Sequence, residues 1–246
     1  MAWAQDRDFL DDLNRPVAEL LAGAKSTPDA QHTPRLRVPK IVELASEVVV
    51  TVEVPLVGDD KHYIRRVALI DENSLVQVKY IATFSSQVRS VRITAPIKMA
   101  KTSRLKAVVE CPLHGKWLGV SDTIQVGAGG CAAGQEPSRK LLGNVLQLRF
   151  QESGAAIETS LLFRHPMISG YTLTPDNRIV KSYDSFYLKT SRLLYKGQVL
   201  AEFELGPGLS ENPRISILLP RLGAEPLQAE AVNSDQQKFS LLARMP

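Results

Sequence analysis

The chain has 246 residues, of which 44% are apolar and 23% are charged, and this composition excludes a disordered chain. Its 30 basic and 26 acidic residues give a formal charge of +4, with the basic residues scattered singly along strand-like segments. Nucleic-acid binding needs a concentrated basic face, and a membrane span needs a window of ~18 apolar residues without charge. The sequence has neither, so we expect a folded protein of one large or two ordinary domains, with no nucleic-acid and no membrane partner.

The first part of the chain is predicted to be a helical lead-in followed by a loop. Apolar residues recur at helical spacing from Asp6 to Gly23, and Pro16 stands where one short helix would end and another begin. The polar stretch from Lys25 to Arg35 has no periodicity. The tripeptide Ala2-Trp3-Ala4 has the small-x-small form after which signal peptidase cuts, so an export signal removed near Ala4 is one expectation. An ordinary cytoplasmic amino terminus is the alternative.

Beyond the loop, apolar residues alternate with polar ones at period two, which predicts half-buried strands of antiparallel sheets. The strand-like segments are 48–54, 76–84, 91–97, 105–111 and 118–126, with Asp122 interrupting the last at a possible bulge, and then 146–150, 157–163, 199–205, 215–219 and 239–241. We therefore predict an all-β protein of two immunoglobulin-like antiparallel β-sandwich domains. The predicted boundaries are a lead-in at 1–37, a first sandwich at 38–126, an arm and linker at 127–140, and a second sandwich at 141–246.

The strand pattern stops at a segment rich in glycine and alanine that contains one of the two cysteines, Cys131. Glycine permits backbone conformations that are closed to other residues, so such a segment predicts a narrow, mobile arm. A thiol on this arm could enter a partner's cleft, be modified there and leave again, whereas the alternative is a plain linker with an incidental cysteine. We predict that Cys131 is the functional residue, because an exposed free thiol is a liability unless it is used. The arm around it comprises Gly129, Gly130, Ala132, Ala133 and Gly134.

The other candidate ligands and nucleophiles give weaker signals. Cys111 shares a parity with the apolar residues of its strand, so a buried core thiol is favoured, and a disulfide with Cys131 is the minor alternative. His114 lies three residues after Cys111 in a turn, and His32 and His62 lie in polar surroundings. Without further ligands at a fixed spacing, these residues predict no metal site. No catalytic triad, phosphate loop or pair of carboxylates stands out, so we predict neither an enzyme nor a cofactor.

Several modest motifs, taken in order, resemble a fusion of the two subunits of the SoxYZ thiosulfate-oxidation carrier. The first part is similar to SoxY through its glycine-glycine-cysteine arm and three earlier segments, which are 38–43, 50–56 and 97–100. The second part resembles SoxZ through His165-Pro166-Met167 with Gly170, then Lys196-Gly197-Gln198-Val199 and Ser210-Glu211-Asn212-Pro213. The resemblance runs from about Val38 to the end of the chain.

The resemblance implies a periplasmic, non-catalytic carrier that holds thiosulfate-derived sulfur covalently on Cys131. It also implies Sox-type partners, namely a c-type cytochrome that loads thiosulfate, a sulfate-releasing hydrolase and a sulfur dehydrogenase. The chain departs from the family pattern because Ala132 and Ala133 follow the cysteine and the arm continues into a second domain. The family's arm is usually a free carboxyl terminus. Fused chains of this kind also resemble proteins associated with quinoprotein dehydrogenases, so a binding or assembly module for such a dehydrogenase is the alternative function.

Overall fold

The computed structural model describes residues 14, 16–127, 138–141, 143–173 and 179–246. Within them lie one short helix, α1 (Pro16–Leu21), and eighteen strands. The strands of the amino-terminal segment are β1 (Arg35–Arg37), β2 (Ile41–Val42), β3 (Val48–Val57), β4 (Arg66–Ile70), β5 (Val78–Phe84), β6 (Ser90–Ile97), β7 (Lys106–Cys111), β8 (Gly115–Val120) and β9 (Gln125–Val126). Those of the carboxyl-terminal segment are β10 (Leu146–Ser153), β11 (Ala156–Phe163), β12 (Tyr171–Leu173), β13 (Ile179–Lys181), β14 (Leu188–Tyr195), β15 (Gln198–Leu205), β16 (Arg214–Pro220), β17 (Leu227–Asn233) and β18 (Lys238–Ala243).

These strands confirm the predicted all-β, immunoglobulin-like class, and the two large sheets are antiparallel throughout. The six-stranded sheet has the order β1-β3-β6-β16-β11-β10, and the eight-stranded sheet has the order β18-β17-β14-β15-β5-β4-β7-β8. Two small two-stranded sheets, β12-β13 and the parallel pair β2-β9, complete the described part. No helix among the described residues is long and apolar enough to cross a membrane.

Both large sheets run without a break from the amino-terminal segment into the carboxyl-terminal one. In the smaller sheet, β6 pairs with β16, and in the larger sheet β5 pairs with β15 over the register Tyr80↔Leu205 to Phe84↔Ala201. The apolar core between the sheets is one cluster with members from both segments, including Val50, Ile93 and Phe203. The two segments are therefore joined by backbone ladders and a shared core.

Three of the motifs that resemble SoxY and SoxZ, at 97–100, 165–167 and 210–213, meet where the two segments join. The Lys98 Nζ donates to the carbonyl of Met167 at 2.5 Å, and the backbone of Ser210 donates to the carbonyl of Pro96 at 3.1 Å. Asn212 in turn donates its backbone N–H to the carbonyl of His165. These contacts pair backbone carbonyls that the packing of the two segments would otherwise leave without partners.

The alternation of apolar and polar residues does not reveal strand β4, because this strand is buried on both sides. Val67 and Leu69 face the main core, whereas Ala68 and Ile70 face Leu20 of α1, which covers the outer side of the larger sheet. A strand covered on both faces has no polar alternation to detect. Strands β14 and β17 also lack a clear pattern, because β14 carries two register shifts and the four buried residues of β17 are one leucine, two alanines and one asparagine.

The amino-terminal loop crosses β8 so closely that only glycine fits at the crossing. A Cβ atom built on Gly119 would lie 2.2 Å from the carbonyl oxygen of Pro34, well inside van der Waals contact. The same loop, from Asp29 to Pro34, carries His32. The absence of a side chain at Gly119 therefore fixes the position of this loop against the larger sheet.

We expect Gly119→Ala to lower the free energy of unfolding by about 1–3 kcal/mol, because the new methyl group must push the loop backbone away. Gly206→Ala is the matched control, since a Cβ there would meet its nearest atom at an ordinary 3.5 Å. Denaturant unfolding of both variants checks this expectation. Equal stability of the two variants would contradict the close crossing.

Candidate functional site

Before the residues that lead to Cys131, the described part of the chain ends at the parallel pair β2-β9. Ile41 and Val42 pair with Gln125 and Val126, and Gly127 donates its backbone N–H to the carbonyl of Val42 at 3.0 Å. Gly127 is the last described residue before the arm. Cys131 and the arm residues Gly129, Gly130, Ala132, Ala133 and Gly134 lie outside the described residues, so their assignment stays a prediction.

Large apolar side chains are exposed around the parallel pair β2-β9, after which the arm follows in the sequence. Ile41 is 69% exposed, Leu44 is 60% exposed and Val49 is 52% exposed. A shallow groove beside them is lined by Arg37, Val38, Pro39, Ile41, Val42, Glu47 and Val49. We call Ile41, Leu44 and Val49 the arm-root surface. Exposed apolar side chains grouped in this way are a common feature of protein–protein contact sites.

Three histidines and a cysteine meet at the opposite end of the amino-terminal segment. They are His32, His62, Cys111 and His114, which we call the His3Cys cluster, and their possible ligand atoms all lie within 4.8 Å of one another. The three histidines come from three loops, before β1, between β3 and β4, and between β7 and β8, and Cys111 ends β7. The cluster lies at the carboxyl ends of β3 and β7. The β2-β9 pair lies near their amino ends, where Ala45 precedes β3 and Ser103, which precedes β7, pairs with Ile124.

The ring nitrogens of the cluster are in mutual contact. His32 Nε2 lies 2.9 Å from His62 Nε2, and His114 Nδ1 lies 3.1 Å from His32 Nε2 and 3.2 Å from His62 Nε2. The Cys111 Sγ lies 3.6 Å from His114 Nδ1. Cys111 is a free thiol, only 1% exposed, which confirms the predicted core position.

A carboxylate fixes the orientation of His32. The Asp29 carboxylate accepts hydrogen bonds from the backbone N–H groups of His32 and Gln31, and these bonds, with the imidazole, lower the pKa of Asp29 to about 2. The ionised Asp29 Oδ1 can only accept, so His32 Nδ1, 2.8 Å away, is the donor. In the neutral ring, His32 Nε2 therefore turns a lone pair toward the other two histidines.

The other residues of the cluster are also held by local structure. The Asp59 carboxylate accepts from the backbone N–H of His62 at 2.7 Å, and this bond lowers the pKa of Asp59. His32 stacks on Trp117 of β8 with ring centroids 5.3 Å apart. The hairpin of His114 turns at Gly115, whose φ of 83° favours glycine. The cluster is thus built on a well-supported frame, with His32 buried, His62 half-buried and His114 exposed.

Sequence reasoning treated these four residues separately and predicted no metal site, but the fold brings them together. The only local signal is the Cys111-x-x-His114 spacing, and His32 and His62 are distant from it and from each other in the sequence. His32 reaches the hairpin of Cys111 and His114 because its loop crosses Gly119. His62 reaches it on the loop between β3 and β4.

His165 lies far from this cluster and is a buried residue at the end of a strand. It follows β11, its side chain is fully buried, and its Nε2 has no hydrogen-bond partner among the described residues. Its Nδ1 accepts from the backbone N–H of Met167 at 3.3 Å. Burial lowers the pKa of His165 to about 4, so the ring is neutral near pH 7.

The fold and these sites define a two-segment β-sandwich protein. The family comparison agrees, because residues 18–131 match the family model of the sulfur oxidation protein SoxY and residues 147–243 match that of the sulphur oxidation protein SoxZ. The chain belongs to the Sox sulfur-oxidation carriers, as a SoxY–SoxZ fusion. SoxY and SoxZ are carrier proteins and not enzymes, so this chain is a carrier of the Sox system that serves Sox-system enzymes.

No curated protein matches the sequence. Among solved structures, the chain is similar to a superoxide reductase (neelaredoxin) from Ignicoccus hospitalis, with 26% identity over 39% of this chain and 81% of that chain, at a TM-score of 0.34. A single-residue variant of the superoxide reductase (neelaredoxin) from Archaeoglobus fulgidus, in the reduced form, has 22% identity over 41% of this chain and 96% of that chain, at a TM-score of 0.33. Because both TM-scores are below 0.5, these similarities support no conclusion about the function of this chain.

We expect the stability of the protein to fall as the pH is lowered from 6.5 to 4, in part through His165. In this window the unfolded chain binds a proton at this ring and the folded protein does not, so protonation favours unfolding. Replacing His165 by Asn removes that titration. The difference in melting temperature between pH 7 and pH 4.5 should therefore be smaller in His165→Asn than in the wild type, and an equal difference would refute the assignment.

Proposed function

We propose that Cys131 is the residue that carries sulfur, and that the carrier works in the periplasm. The observation that carries this proposal is the extent of the SoxY match, which ends at residue 131. Small residues flank the cysteine on both sides in the sequence. The other cysteine, Cys111, is buried at the far end of the segment and cannot present a cargo to another protein.

The chemistry of loading requires a partner that removes electrons. When the Cys131 thiolate joins thiosulfate, one sulfur–sulfur bond forms and two electrons are released, and a c-type cytochrome of the Sox system accepts them. Hydrolysis of the terminal sulfonate group then uses one water and releases sulfate and two protons, which leaves a persulfide anion on Cys131. The protein itself supplies attachment and presentation, and its partners supply catalysis.

The β2-β9 pair gives the arm a fixed origin. Val126 is held by pairing with Val42 and by the Thr102 hydroxyl, which accepts its backbone N–H at 3.1 Å. Ile124 pairs with Ser103, whose hydroxyl donates to the buried carboxylate of Asp71 at 2.7 Å. A partner that binds the arm-root surface would therefore meet the arm at a defined position.

We expect the native protein to react with one equivalent of iodoacetamide, at Cys131, and with a second equivalent, at Cys111, only after unfolding. The thiolate of an accessible cysteine is alkylated, whereas a side chain that is 1% exposed is shielded. Intact mass and peptide mapping measure both sites. Cys131→Ser should abolish native labelling and should also abolish the reducible mass that thiosulfate and the loading cytochrome add.

Two outcomes would contradict the carrier role of Cys131. One is native labelling of Cys111 in place of Cys131. The other is a Cys131→Ser protein that still supports thiosulfate oxidation with the purified Sox enzymes, which would favour a binding or assembly module, such as one for a quinoprotein dehydrogenase.

We also expect Val49→Lys to slow loading by the partner cytochrome about tenfold, because a charge on the arm-root surface would cost roughly 1.4 kcal/mol of docking. Val57→Lys is the matched control, since Val57 lies on the same strand at its other end and is 75% exposed. The rate of adduct formation is followed by mass spectrometry. Iodoacetamide labelling of Cys131 should be the same in both variants, and equal loading rates would exclude this docking surface.

A further inference from the structure

We propose that the His3Cys cluster is a metal site that binds one late first-row transition-metal ion of the zinc–copper class. The ligands are His32 Nε2, His62 Nε2, His114 Nδ1 and the Cys111 thiolate. Imidazole and thiolate are the donors that zinc and copper prefer, whereas magnesium and calcium take oxygen ligands. This site is separate from the sulfur-carrying role of Cys131 and does not depend on it.

The first argument is the mutual contact of three ring nitrogens at 2.9, 3.1 and 3.2 Å. Each nitrogen of a neutral ring presents either a proton or a lone pair, and a contact is favourable only between one of each. With three atoms in a triangle and two states, at least one contact always joins two protons or two lone pairs. A cation at the centre removes the conflict, because all three lone pairs can then face it.

The second argument is the size of the cluster. Two nitrogens bound at ~2.0 Å with a tetrahedral angle lie roughly 3.3 Å apart, and a nitrogen and a sulfur bound at ~2.0 and ~2.3 Å lie roughly 3.5 Å apart. The three nitrogen contacts, at 2.9–3.2 Å, are close to the first value. The contact between Cys111 Sγ and His114 Nδ1, at 3.6 Å, is close to the second.

The third argument is the second layer of contacts. Metal-bound histidines usually donate their other ring N–H to a carboxylate or carbonyl, which orients the ring and raises its basicity. The His32 Nδ1 lies 2.8 Å from the Asp29 carboxylate, which is this arrangement. Trp117 stacks on the same ring, so His32 cannot easily rotate out of the site.

The donor set also indicates what the ion does. Four protein ligands complete a tetrahedron and keep no position for a substrate, which is the pattern of sites that stabilise a fold. The ion would tie three loops to β7 at one end of the sandwich. The exposed His114 leaves a path for the ion to enter.

The test uses the full-length protein, stripped of metal with a chelator and titrated with cobalt(II) as a spectroscopic probe. We expect one equivalent to bind, with the intense visible bands of tetrahedral cobalt and a near-ultraviolet thiolate-to-cobalt charge-transfer band. Zinc(II) or copper(I) should displace cobalt, and zinc should raise the melting temperature of the wild type, because it binds the folded state.

The variants separate the ligands from other residues. Cys111→Ser should lose the charge-transfer band, and His114→Ala should lose more than about a hundredfold in affinity, which exceeds the usual effect of outer contacts. His114 is exposed at a hairpin tip, so this variant should melt like the stripped wild type. Cys131→Ser is the matched cysteine control and should bind cobalt like the wild type.

Three results would overturn the proposal. They are no stoichiometric cobalt binding by the stripped wild type, binding that Cys111→Ser and His114→Ala leave unchanged, and binding that Cys131→Ser abolishes. The last result would place the ion on the arm thiol. None of these outcomes decides whether Cys131 carries sulfur, which is tested by its labelling and loading.

Discussion

The backbone ladders β5–β15 and β6–β16 are the constraint on which the rest of this structure depends. Each ladder joins a strand of the SoxY-like segment to a strand of the SoxZ-like segment, so neither large sheet ends at the segment boundary. A sheet edge left open would expose a row of unpaired backbone groups. Because the two segments cover each other's edges, the SoxY-like segment is held in one position. The β2-β9 pair at one of its ends and the His3Cys cluster at the other therefore have fixed positions.

Covalent fusion changes how this pairing is maintained. In a carrier of two separate subunits, the contact between them depends on concentration, whereas a linked pair meets at an effective concentration of order millimolar. The contacts of Lys98 with Met167 and of Ser210 with Pro96 lie at this junction. Part of the family signal, at 97–100, 165–167 and 210–213, therefore comes from residues that pack where the two segments join.

The two cysteines occupy different places in the SoxY-like segment. Cys111 is buried beside three imidazole rings, whereas Cys131 follows the last described residue of the arm root by four positions. A thiol that is tied to a metal ion is protected from alkylation and oxidation, because the sulfur is coordinated and shielded. The two proposed roles thus use a cysteine sulfur in different ways. Cys111 would bind a metal ion that stabilises the fold, and Cys131 would carry the cargo.

The sequence by itself determined the fold class, the family motifs and the small-residue setting of Cys131, because each is a property of neighbouring residues. Alternation such as that from Ile215 to Leu219 follows directly from which face of a strand is buried. Strand β4 needed the tertiary structure, since its outer face is covered by α1, and the pairing of the two segments depends on long-range registers. Only the tertiary structure decided that the four residues of the His3Cys cluster lie together, although they span 82 positions of the chain. Local spacing cannot encode such a meeting, because it arises from the packing of the sheets and the close crossing at Gly119.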